Sequence, residues 1–471
     1  MKYDYHIAVI GGGSAGLVVA SGAAGLGAKV ALIEGHKMGG DCLNYGCVPS
    51  KAFLKSAHLA ADIRHASALG LNAQLGDVDL EKVMDRVRDV IAEIEPHDSV
   101  ERYEGLGVDV FQGMGAFVDK HTVKVNDREI TAKSIVICTG STAAVPPIPG
   151  LDTVPFMTNH TVFDMTVLPE RLLVLGAGPI GLELGQGFRH LGSDVAMIDM
   201  LPQLFPKDDP EVAPILEAQA KKEGINLVLS AKILGVSKTG DEILVEIEQD
   251  GKKSVIVGDA LLVSLGRRPV TKGLNLGLAG VALNERGFVP TDKRLRTSVK
   301  NIYACGDVTG PFQFTHMAGY QAGIVIRNCI FRLPAKVDYS IVPWATFTKP
   351  EVAHVGYTEP WAKSEGLYVD NILVPLAGMD RAKADYDRVG FLKLILGKKR
   401  RIIGVTLVGE KAGEMTPLAT LAIAKKLKAS AFLNMIFAYP TQAEIYKFAS
   451  LQEVKASFKP WMKTLIRWLF L

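Results

Sequence analysis

The sequence predicts an α/β fold in which one supersecondary unit occurs twice. An apolar run at residues 7–10 leads into a glycine-rich turn, and the same pattern recurs 165 positions later at residues 172–175. In both copies a helix-like segment and a second apolar run follow, and that run ends in an acidic residue. A strand, a glycine turn, a helix and a strand ending in an acid form the unit that binds dinucleotides. We therefore expect two Rossmann-like dinucleotide-binding domains.

Length and composition leave room for these two domains and one more. At roughly 150 residues per domain, a chain of 471 residues predicts about three. A net charge of +3, with 22% charged and 48% hydrophobic residues, is typical of a folded protein and excludes a disordered or nucleic-acid-binding chain. Residues 7–28 carry no charge, but seven glycines break the run, which favours a buried unit over a transmembrane helix. No secretion signal is evident, and the five cysteines are sparse, so we expect a cytoplasmic location.

Each glycine turn reads G-x-G-x-x-G, formed by Gly11, Gly13 and Gly16 in the first copy and by Gly176, Gly178 and Gly181 in the second. The first glycine permits a tight turn, the second lets the backbone approach a pyrophosphate, and the third allows close packing of helix and strand. The helix N-terminus then faces the anion. A single match is weak evidence, whereas two in register strongly favour nucleotide binding.

The acidic residues that end the two units are Glu34 and Asp199. A carboxylate in this place accepts hydrogen bonds from ribose hydroxyls and repels a 2′-phosphate. Asp199 therefore favours NAD(H) over NADP(H) at the second site.

Two cysteines, Cys42 and Cys47, are separated by four residues and lie between the first unit and the next helix-like segment. They can close a small loop as a disulfide. A zinc or iron-sulfur site would need more ligands, and Ser50 breaks the ferredoxin spacing. Closing so small a loop adds little stability. These points favour a redox-active pair, and a structural disulfide remains the alternative. Cys138, Cys305 and Cys329 are expected to serve in packing.

The segment GGDCLNYGCVPSK, both glycine turns, residues 138–141 and 265–269, YACGD and VPWATFTKPEVAHVGYTE together resemble the class I flavoprotein disulfide reductases. That family includes dihydrolipoamide dehydrogenase, glutathione reductase and mercuric reductase. The resemblance covers about residues 4–450. It implies an FAD-binding domain at 1–145 and 271–340, an NAD-binding domain at 146–270, an α+β dimerisation domain at 341–450 and a tail at 451–471.

The resemblance also implies roles for individual residues. FAD would be held by the first turn together with Glu34, Gly40, Lys51, Gly115, Thr139, Gly140, Asp307 and Ala318, and NAD(H) by the second turn with Asp199 and Gly266. Cys47 would face the flavin and Cys42 would attack the acceptor. Lys51 and Glu183 would form an ion pair beside the flavin. Electrons would pass from NADH through FAD to the cysteine pair. Two chains would form a homodimer with shared active sites, to which the partner supplies Tyr439 and Glu444.

The sequence departs from the family pattern at Tyr439. The H-P-T-x-x-E motif of members that act on disulfides reads Y-P-T-Q-A-E here, so Glu444 is in place and the histidine is not. An imidazole with a pKa of about 6.5 takes and returns protons near neutrality, whereas a phenol near about 10 mainly donates. This departure disfavours efficient turnover of dihydrolipoamide or glutathione. The predicted acceptor is a small-molecule or lipoyl-type compound. Pro179 replaces the tyrosine that gates the nicotinamide pocket in many members.

Three alternative functions stay open. A mercuric reductase-like enzyme also fits Tyr439, but no cysteine follows Cys329 to capture a soft metal, and no metal site is expected. A membrane-surface NADH:quinone reductase and a redox-sensing flavoprotein subunit are the others.

Residues 458–471 combine tryptophans with Lys459, Lys463 and Arg467 at helical spacing. This pattern predicts peripheral contact with the inner face of the membrane, or packing against the partner subunit.

Overall fold

A computed structural model describes residues 3–458 and 460–470 of the chain. The strands in these residues are β1 (Tyr5–Ile10), β2 (Val30–Glu34), β3 (Val108–Gln112), β4 (Gly115–Phe117), β5 (Thr122–Val125), β6 (Arg128–Ile137), β7 (Ser141–Ala143), β8 (Arg171–Leu175), β9 (Asp194–Ile198), β10 (Asn226–Val228), β11 (Lys232–Thr239), β12 (Glu242–Gln249), β13 (Lys252–Gly258), β14 (Ala260–Val263), β15 (Arg267–Pro269), β16 (Ile302–Ala304), β17 (Pro343–Thr346), β18 (Glu351–Gly356), β19 (Asp370–Pro375), β20 (Phe391–Leu396) and β21 (Ile402–Gly409).

The α-helices are α1 (Ser14–Ala24), α2 (Gly40–Asn44), α3 (Cys47–His65), α4 (Leu80–Ile94), α5 (Val100–Gly105), α6 (Pro179–Leu191), α7 (Val212–Lys222), α8 (Thr315–Cys329), α9 (Glu359–Ser364), α10 (Asp380–Ala384), α11 (Thr416–Ala424), α12 (Ile445–Ser457) and α13 (Pro460–Phe470). The chain divides into two compact units. The first holds residues up to 200 and residues 231–337, and the second holds residues 201–230 and those from 338 onward.

The largest sheet of the first unit is built around β1. Its strand order is β3-β2-β1-β6-β5-β4, with β16 also paired to β6. Strands β3, β2, β1, β6 and β16 run parallel, and Ala8, Val9 and the interior of β2 are almost fully buried. Burial on both faces explains why these strands are continuously apolar in the sequence. The loops after their carboxyl ends share one edge of the sheet, which is where the first glycine turn lies.

The second copy of the repeated unit forms the parallel strands β9, β8 and β14, in that order. Its register repeats that of the first copy. Ile7 pairs with Val30 between β1 and β2, and the residues 165 positions later, Leu172 and Val195, pair between β8 and β9. Two further antiparallel sheets complete this unit, one of β11, β12 and β13 and one of β7 and β15. The predicted pair of Rossmann-like units is confirmed.

The second unit contains an antiparallel sheet in the order β17-β18-β21-β20-β19. Buried side chains from β18, β20 and β21 form its core with residues of α11 and α12, including Ile445 and Tyr446, and with Phe432 from the segment between these helices. Together with the first unit, this α+β element gives the fold class that the sequence predicts. Helix α12 runs to Ser457, so residue 451, where we expected the tail to begin, lies inside a helix.

A cluster of charged side chains surrounds the buried Lys393 in the second unit. The ammonium of Lys393, which is fully buried, lies 2.7 Å from Glu211 and 2.6 Å from Glu359, with Asp209 at 3.6 Å. Burying an unpaired ammonium would be very unfavourable, whereas three carboxylates compensate it. The cluster thereby fixes the segment around Glu211 to strand β20.

Within the part of the chain that the structure describes, no helix is both long and apolar enough to cross a membrane.

Candidate active site

The two glycine turns have the same geometry. Gly11 and Gly176 adopt positive φ angles of 109° and 97°, and their N–H groups donate to Ile33 and Ile198 at 2.8 Å. These angles favour glycine because L side chains are strained there. A Cβ atom on Gly16 would clash with the carbonyl oxygen of Gly11, and one on Gly181 would clash with that of Gly176. The first and third glycines of each motif are therefore required by the turn itself.

The acidic residues close the turns from the neighbouring strand. The Gly12 N–H donates to Glu34 Oε2 at 2.5 Å, and the Ala177 N–H donates to Asp199 Oδ2 at 2.8 Å. The second oxygen of Glu34 accepts from the N–H of His36 at 2.7 Å. Each carboxylate thus stands at the end of the second strand, beside the turn, where the sequence predicted it.

The turn after the third strand is also duplicated. A Cβ atom on Gly11 would collide with the carbonyl group of Cys138, and one on Gly176 with that of Ser264. Two residues further on, Gly140 and Gly266 have φ angles of 69° and 116°, and a Cβ atom on either would meet no atom within 4 Å. Each G-x-G-x-x-G turn therefore has open space beside a further glycine, at Gly140 in the first site and at Gly266 in the second.

These features fit dinucleotides at both turns. Helices α1 and α6 begin directly after the second glycine, and neither has an acidic residue in its first turn. At the first site Gly13 faces Gly40 so closely that a Cβ atom on Gly40 would lie 2.7 Å from the Cα atom of Gly13. Backbone N–H groups, a helix N-terminus and space beside glycines are the features that accept a pyrophosphate.

Asp307 lies against the turn that contains Gly140. Its Oδ2 accepts from the Ser141 hydroxyl at 2.6 Å, and Arg267 Nε lies 3.8 Å away. Burial raises the pKa of Asp307, and the Ser141 hydrogen bond and the Arg267 charge act in the opposite direction. Gly306, which precedes it, is fixed by an N–H bond to Gln321 at 2.7 Å. Of the other residues predicted at FAD, Gly115 is in β4, Thr139 follows β6 and Ala318 is in α8.

The cysteine pair spans two helices. Cys42 is in α2 and Cys47 is the first residue of α3, and both are free thiols here. The hydrogen bond from Cys42, together with the Thr315 hydroxyl at 3.4 Å and the charge of Lys51, lowers the pKa of Cys47 to about 6. That hydrogen bond to Cys47, together with burial, raises the pKa of Cys42. The pair therefore divides into a thiolate at Cys47 and a protonated thiol at Cys42.

Lys51 lies one helical turn after Cys47, on the same face of α3. Its ammonium is 2.9 Å from the Glu183 carboxylate on α6, and only 9% of the Glu183 side chain is exposed. The structure thus brings together the four residues Cys42, Cys47, Lys51 and Glu183 within the first unit.

An anchor that the sequence analysis missed lies at Asp41. Its carboxylate accepts from Arg267 Nη2 at 2.9 Å and from Asn159 Nδ2 at 3.2 Å, and His160 Nε2 is 3.2 Å away. The His160 ring also stacks on Tyr45, with 4.5 Å between the ring centroids. Because Asp41 directly precedes Cys42, these contacts fix the start of helix α2, which carries Cys42. Arg267 lies in residues 265–269, one of the segments that carry the family resemblance, but no local signal pointed to Asp41 as its partner.

In the second unit, Tyr439 is 73% exposed and its hydroxyl donates to Asp380 Oδ2 at 3.3 Å. Glu444 has a different partner. Its Oε2 accepts from the Thr441 N–H at 3.2 Å, which with the Thr441 side chain completes a capping box. Arg381 Nη1 also approaches the Pro440 carbonyl at 3.5 Å. Sequence reasoning named Tyr439 and Glu444 and missed Asp380.

The remaining cysteines lie in packed surroundings. Cys138 and Cys305 are buried with 3.5 Å between their sulfur atoms, and burial raises the pKa of Cys138. Burial likewise raises the pKa of Cys329 to about 11. Among the described residues, no group of three or more histidine, cysteine or acidic side chains is arranged to hold a metal ion.

Two turns that fit dinucleotides accompany a pair of thiols whose pKa values are shifted in opposite directions. This combination defines a nucleotide-dependent thiol oxidoreductase. The family described as pyridine nucleotide-disulphide oxidoreductase matches residues 5–322, and its dimerisation domain matches residues 342–450. The chain belongs to this family, and it is an FAD- and pyridine nucleotide-dependent oxidoreductase. The dimerisation domain supports a homodimer.

Individual relatives agree with this assignment. Mercuric reductase from Bacillus cereus is 37% identical over 451 residues, which cover 96% of this chain and 72% of that protein. Dihydrolipoyl dehydrogenase from Chlamydia muridarum is 34% identical over 467 residues, covering 96% and 98%. Among solved structures, the Cu(II) complex of the HOCl-induced flavoprotein disulfide reductase RclA from Escherichia coli is 29% identical, with a TM-score of 0.85 and coverage of 96% and 100%.

Proposed function

We propose that this protein passes electrons from NADH to an external disulfide or related acceptor through the Cys42–Cys47 pair. The observation that carries the proposal is the unequal pair itself, a Cys47 thiol with its pKa lowered to about 6 beside the Lys51–Glu183 ion pair. A structural disulfide needs neither a stabilised thiolate nor an adjacent cation.

Cofactor binding follows the two turns. Gly11, Gly13, Gly16 and Glu34 would hold FAD, with Gly40, Lys51, Gly115, Thr139, Gly140, Asp307 and Ala318 around it. Gly176, Gly178, Gly181, Asp199 and Gly266 would hold NAD(H). When bound, FAD relays two electrons between a nicotinamide hydride and a disulfide. Lys51 stabilises negative charge at the adjoining edge of the site, and Glu183 keeps the ammonium in place.

The protein's own thiols then reduce the acceptor. Cys42 loses its proton and its thiolate attacks one sulfur of the acceptor disulfide, which releases one thiolate and forms a mixed disulfide. The Cys47 thiolate next attacks Cys42, releases the second thiolate and restores the Cys42–Cys47 disulfide. Two electrons reach the acceptor. One released thiolate takes up the proton that Cys42 lost, and the other takes up a proton from solvent.

Tyr439 shapes the choice of acceptor in this proposal. In the homodimer, the partner subunit supplies Tyr439 and Asp380 to the site. A phenol that donates a hydrogen bond to a carboxylate does not alternate between acid and base near neutrality as imidazole does. Acceptors whose leaving thiol is already acidic need no such help. We therefore propose activated disulfides as the preferred class, ahead of lipoyl-type acceptors.

Reduction of Hg(II) is a second candidate, favoured by the 37% identity to a mercuric reductase over 96% of this chain. A cysteine pair is a suitable ligand for this soft ion.

The leading proposal also includes the domain boundaries and the location. The FAD-binding domain would comprise residues 1–145 and 271–340, the NAD-binding domain 146–270 and the dimerisation domain 341–450. The protein would be cytoplasmic and lie at the inner face of a membrane.

The test is an anaerobic acceptor screen with the FAD-loaded protein and NADH. We expect an aromatic disulfide to be reduced faster than lipoamide or oxidised glutathione, and Cys42→Ser to abolish that reaction. Cys329→Ser, a substitution away from the pair, serves as the control. The proposal fails if Cys42→Ser still reduces every acceptor at the parent rate, because electrons would then bypass the thiols and a quinone-type acceptor would be favoured. Hg(II) as the fastest acceptor would favour the second candidate.

A further inference from the structure

Helix α13 presents a continuous apolar face to solvent. Trp461, Leu465, Trp468 and Leu469 follow the i, i+4, i+7, i+8 spacing of one helical face, and they are 61%, 43%, 80% and 51% exposed. Single exposed apolar side chains are common, whereas a contiguous face with two of the chain's four tryptophans indicates an interaction surface.

The segment that carries this face is basic. Residues 454–471 contain Lys455, Lys459, Lys463 and Arg467 and no acidic residue. Arg467 lies in the last turn of α13 and is exposed. The chain as a whole has a net charge of only +3, so the positive charge of this segment is a local feature. Its electrostatic complement is an anionic surface.

The length of α13 decides between crossing a bilayer and lying on it. Eleven residues at about 1.5 Å each extend roughly 16 Å, and a bilayer core is about 30 Å thick. A short helix with tryptophans and leucines on one face, in a basic segment, is suited to the boundary between headgroups and acyl chains.

A second copy of the chain fits this face less well than lipid does. A two-fold contact brings the same surface of both copies together. Such a contact through α13 would bring two segments of like positive charge together, and residues 454–471 contain no acidic residue to offset that repulsion. Anionic phospholipid satisfies the charge and the apolar face at once.

We propose that α13 docks the protein on the surface of an anionic phospholipid bilayer, with Trp461, Leu465, Trp468 and Leu469 in the boundary region and Arg467 at the headgroups. The inference rests on the proposed location at the inner face of a membrane and adds the lipid class and the residues that hold it. Thiol-dependent turnover in solution does not depend on it, so the two proposals can fail separately.

The experiment is flotation of the full-length, FAD-loaded protein with vesicles of phosphatidylglycerol and phosphatidylcholine, compared with vesicles of phosphatidylcholine alone. We expect the protein to float with the anionic vesicles only, and less so at high salt because screening weakens the attraction. Absence of flotation with either vesicle overturns the proposal. Equal flotation with both overturns the anionic preference.

Substitutions identify the surface. Trp468→Glu and, separately, Trp461→Glu should each lower the fraction bound by about tenfold while NADH-dependent acceptor reduction in solution stays at the parent rate. Leu278→Glu, which changes a leucine that is 65% exposed elsewhere, should bind like the parent. Light scattering reports the oligomeric state of every variant. If both tryptophan variants still float, or if they dissociate the dimer without a loss of lipid binding, the face belongs to another contact.

Discussion

The hydroxyl of Tyr439 donates to a carboxylate oxygen of Asp380, with 3.3 Å between the two oxygens. Glu444, the glutamate of the motif, is engaged in capping the turn that begins at Thr441. We therefore infer that Asp380 orients Tyr439 and that Glu444 stabilises the local turn.

Asp380→Asn tests this assignment. The amide can still contact the phenol but no longer holds it through a charge. Reduction of lipoamide, whose leaving thiol needs a proton, should therefore fall about tenfold, while the rates with an aromatic disulfide and with an NADH-dependent dye stay unchanged. Tyr439→Phe should give a similar loss, and the double variant should lose little more, because coupled residues are not additive. Asp85→Asn, at an exposed ion pair on α4, is the control. If Glu444→Gln lowered the rate of acceptor reduction more than Asp380→Asn does, without changing the melting temperature, Glu444 and not Asp380 would be the residue that orients Tyr439.

Tyr439→His tests the proton-transfer argument behind the choice of acceptor. An imidazole at this position would act as base and acid near neutrality, and we expect lipoamide turnover to rise by about tenfold or more. The rate with an aromatic disulfide, whose leaving thiol is acidic, should change little. Steady-state rates with both acceptors from pH 5 to pH 9 provide the measurement. Lipoamide turnover that stays at the parent value would refute the argument.

Lys51→Met tests the electrostatics of the thiol pair. Since the pKa of Cys47 is lowered to about 6, its thiolate should predominate above that pH and be lost as the pH falls through it. Removing the Lys51 charge raises this pKa, so the midpoint of Cys47 alkylation in the NADH-reduced protein should move to higher pH. Lys55→Met changes an exposed lysine one turn further along α3 and should leave the midpoint in place. Equal midpoints in parent and Lys51→Met would exclude this role.

Alanine at the third glycine of each turn should separate the two nucleotide sites. In Gly181→Ala the new Cβ atom meets the Gly176 carbonyl oxygen, and in Gly16→Ala it meets that of Gly11. We expect Gly181→Ala to retain FAD and to raise the KM for NADH about tenfold or more, and Gly16→Ala to be purified with little FAD. Gly105→Ala, where a Cβ atom meets nothing within 4 Å, is the control. Loss of FAD in Gly181→Ala alone would reverse the assignment of the two sites.

Sequence reasoning reached the parts of the site that are encoded locally. Gly11, Gly16 and Glu34 lie within one strand-turn-helix-strand unit, where spacing alone fixes which atoms meet. The capping box at Thr441 and Glu444 also has a local signature, a threonine three residues before a glutamate, and could have been recognised. Reading the same residues only as part of a catalytic motif hid it.

Contacts between distant segments could not be predicted in this way. Asp41 and Arg267 are 226 positions apart, and Tyr439 and Asp380 are 59 apart. No periodicity or cap links such pairs, because their meeting depends on how separate elements pack. The contact of Arg267 with Asp41, which anchors helix α2, and that of Asp380 with Tyr439 became visible only in the folded chain.

The central claim is that Cys42 and Cys47 cycle between disulfide and dithiol during turnover. Counting thiols by alkylation and peptide mass spectrometry, before and after anaerobic addition of NADH to the FAD-loaded protein, tests it directly. We predict a gain of two reactive thiols per chain, located at Cys42 and Cys47, and their loss again when the acceptor is added. Acceptor reduction that proceeds while both residues stay unchanged in alkylation would contradict the account.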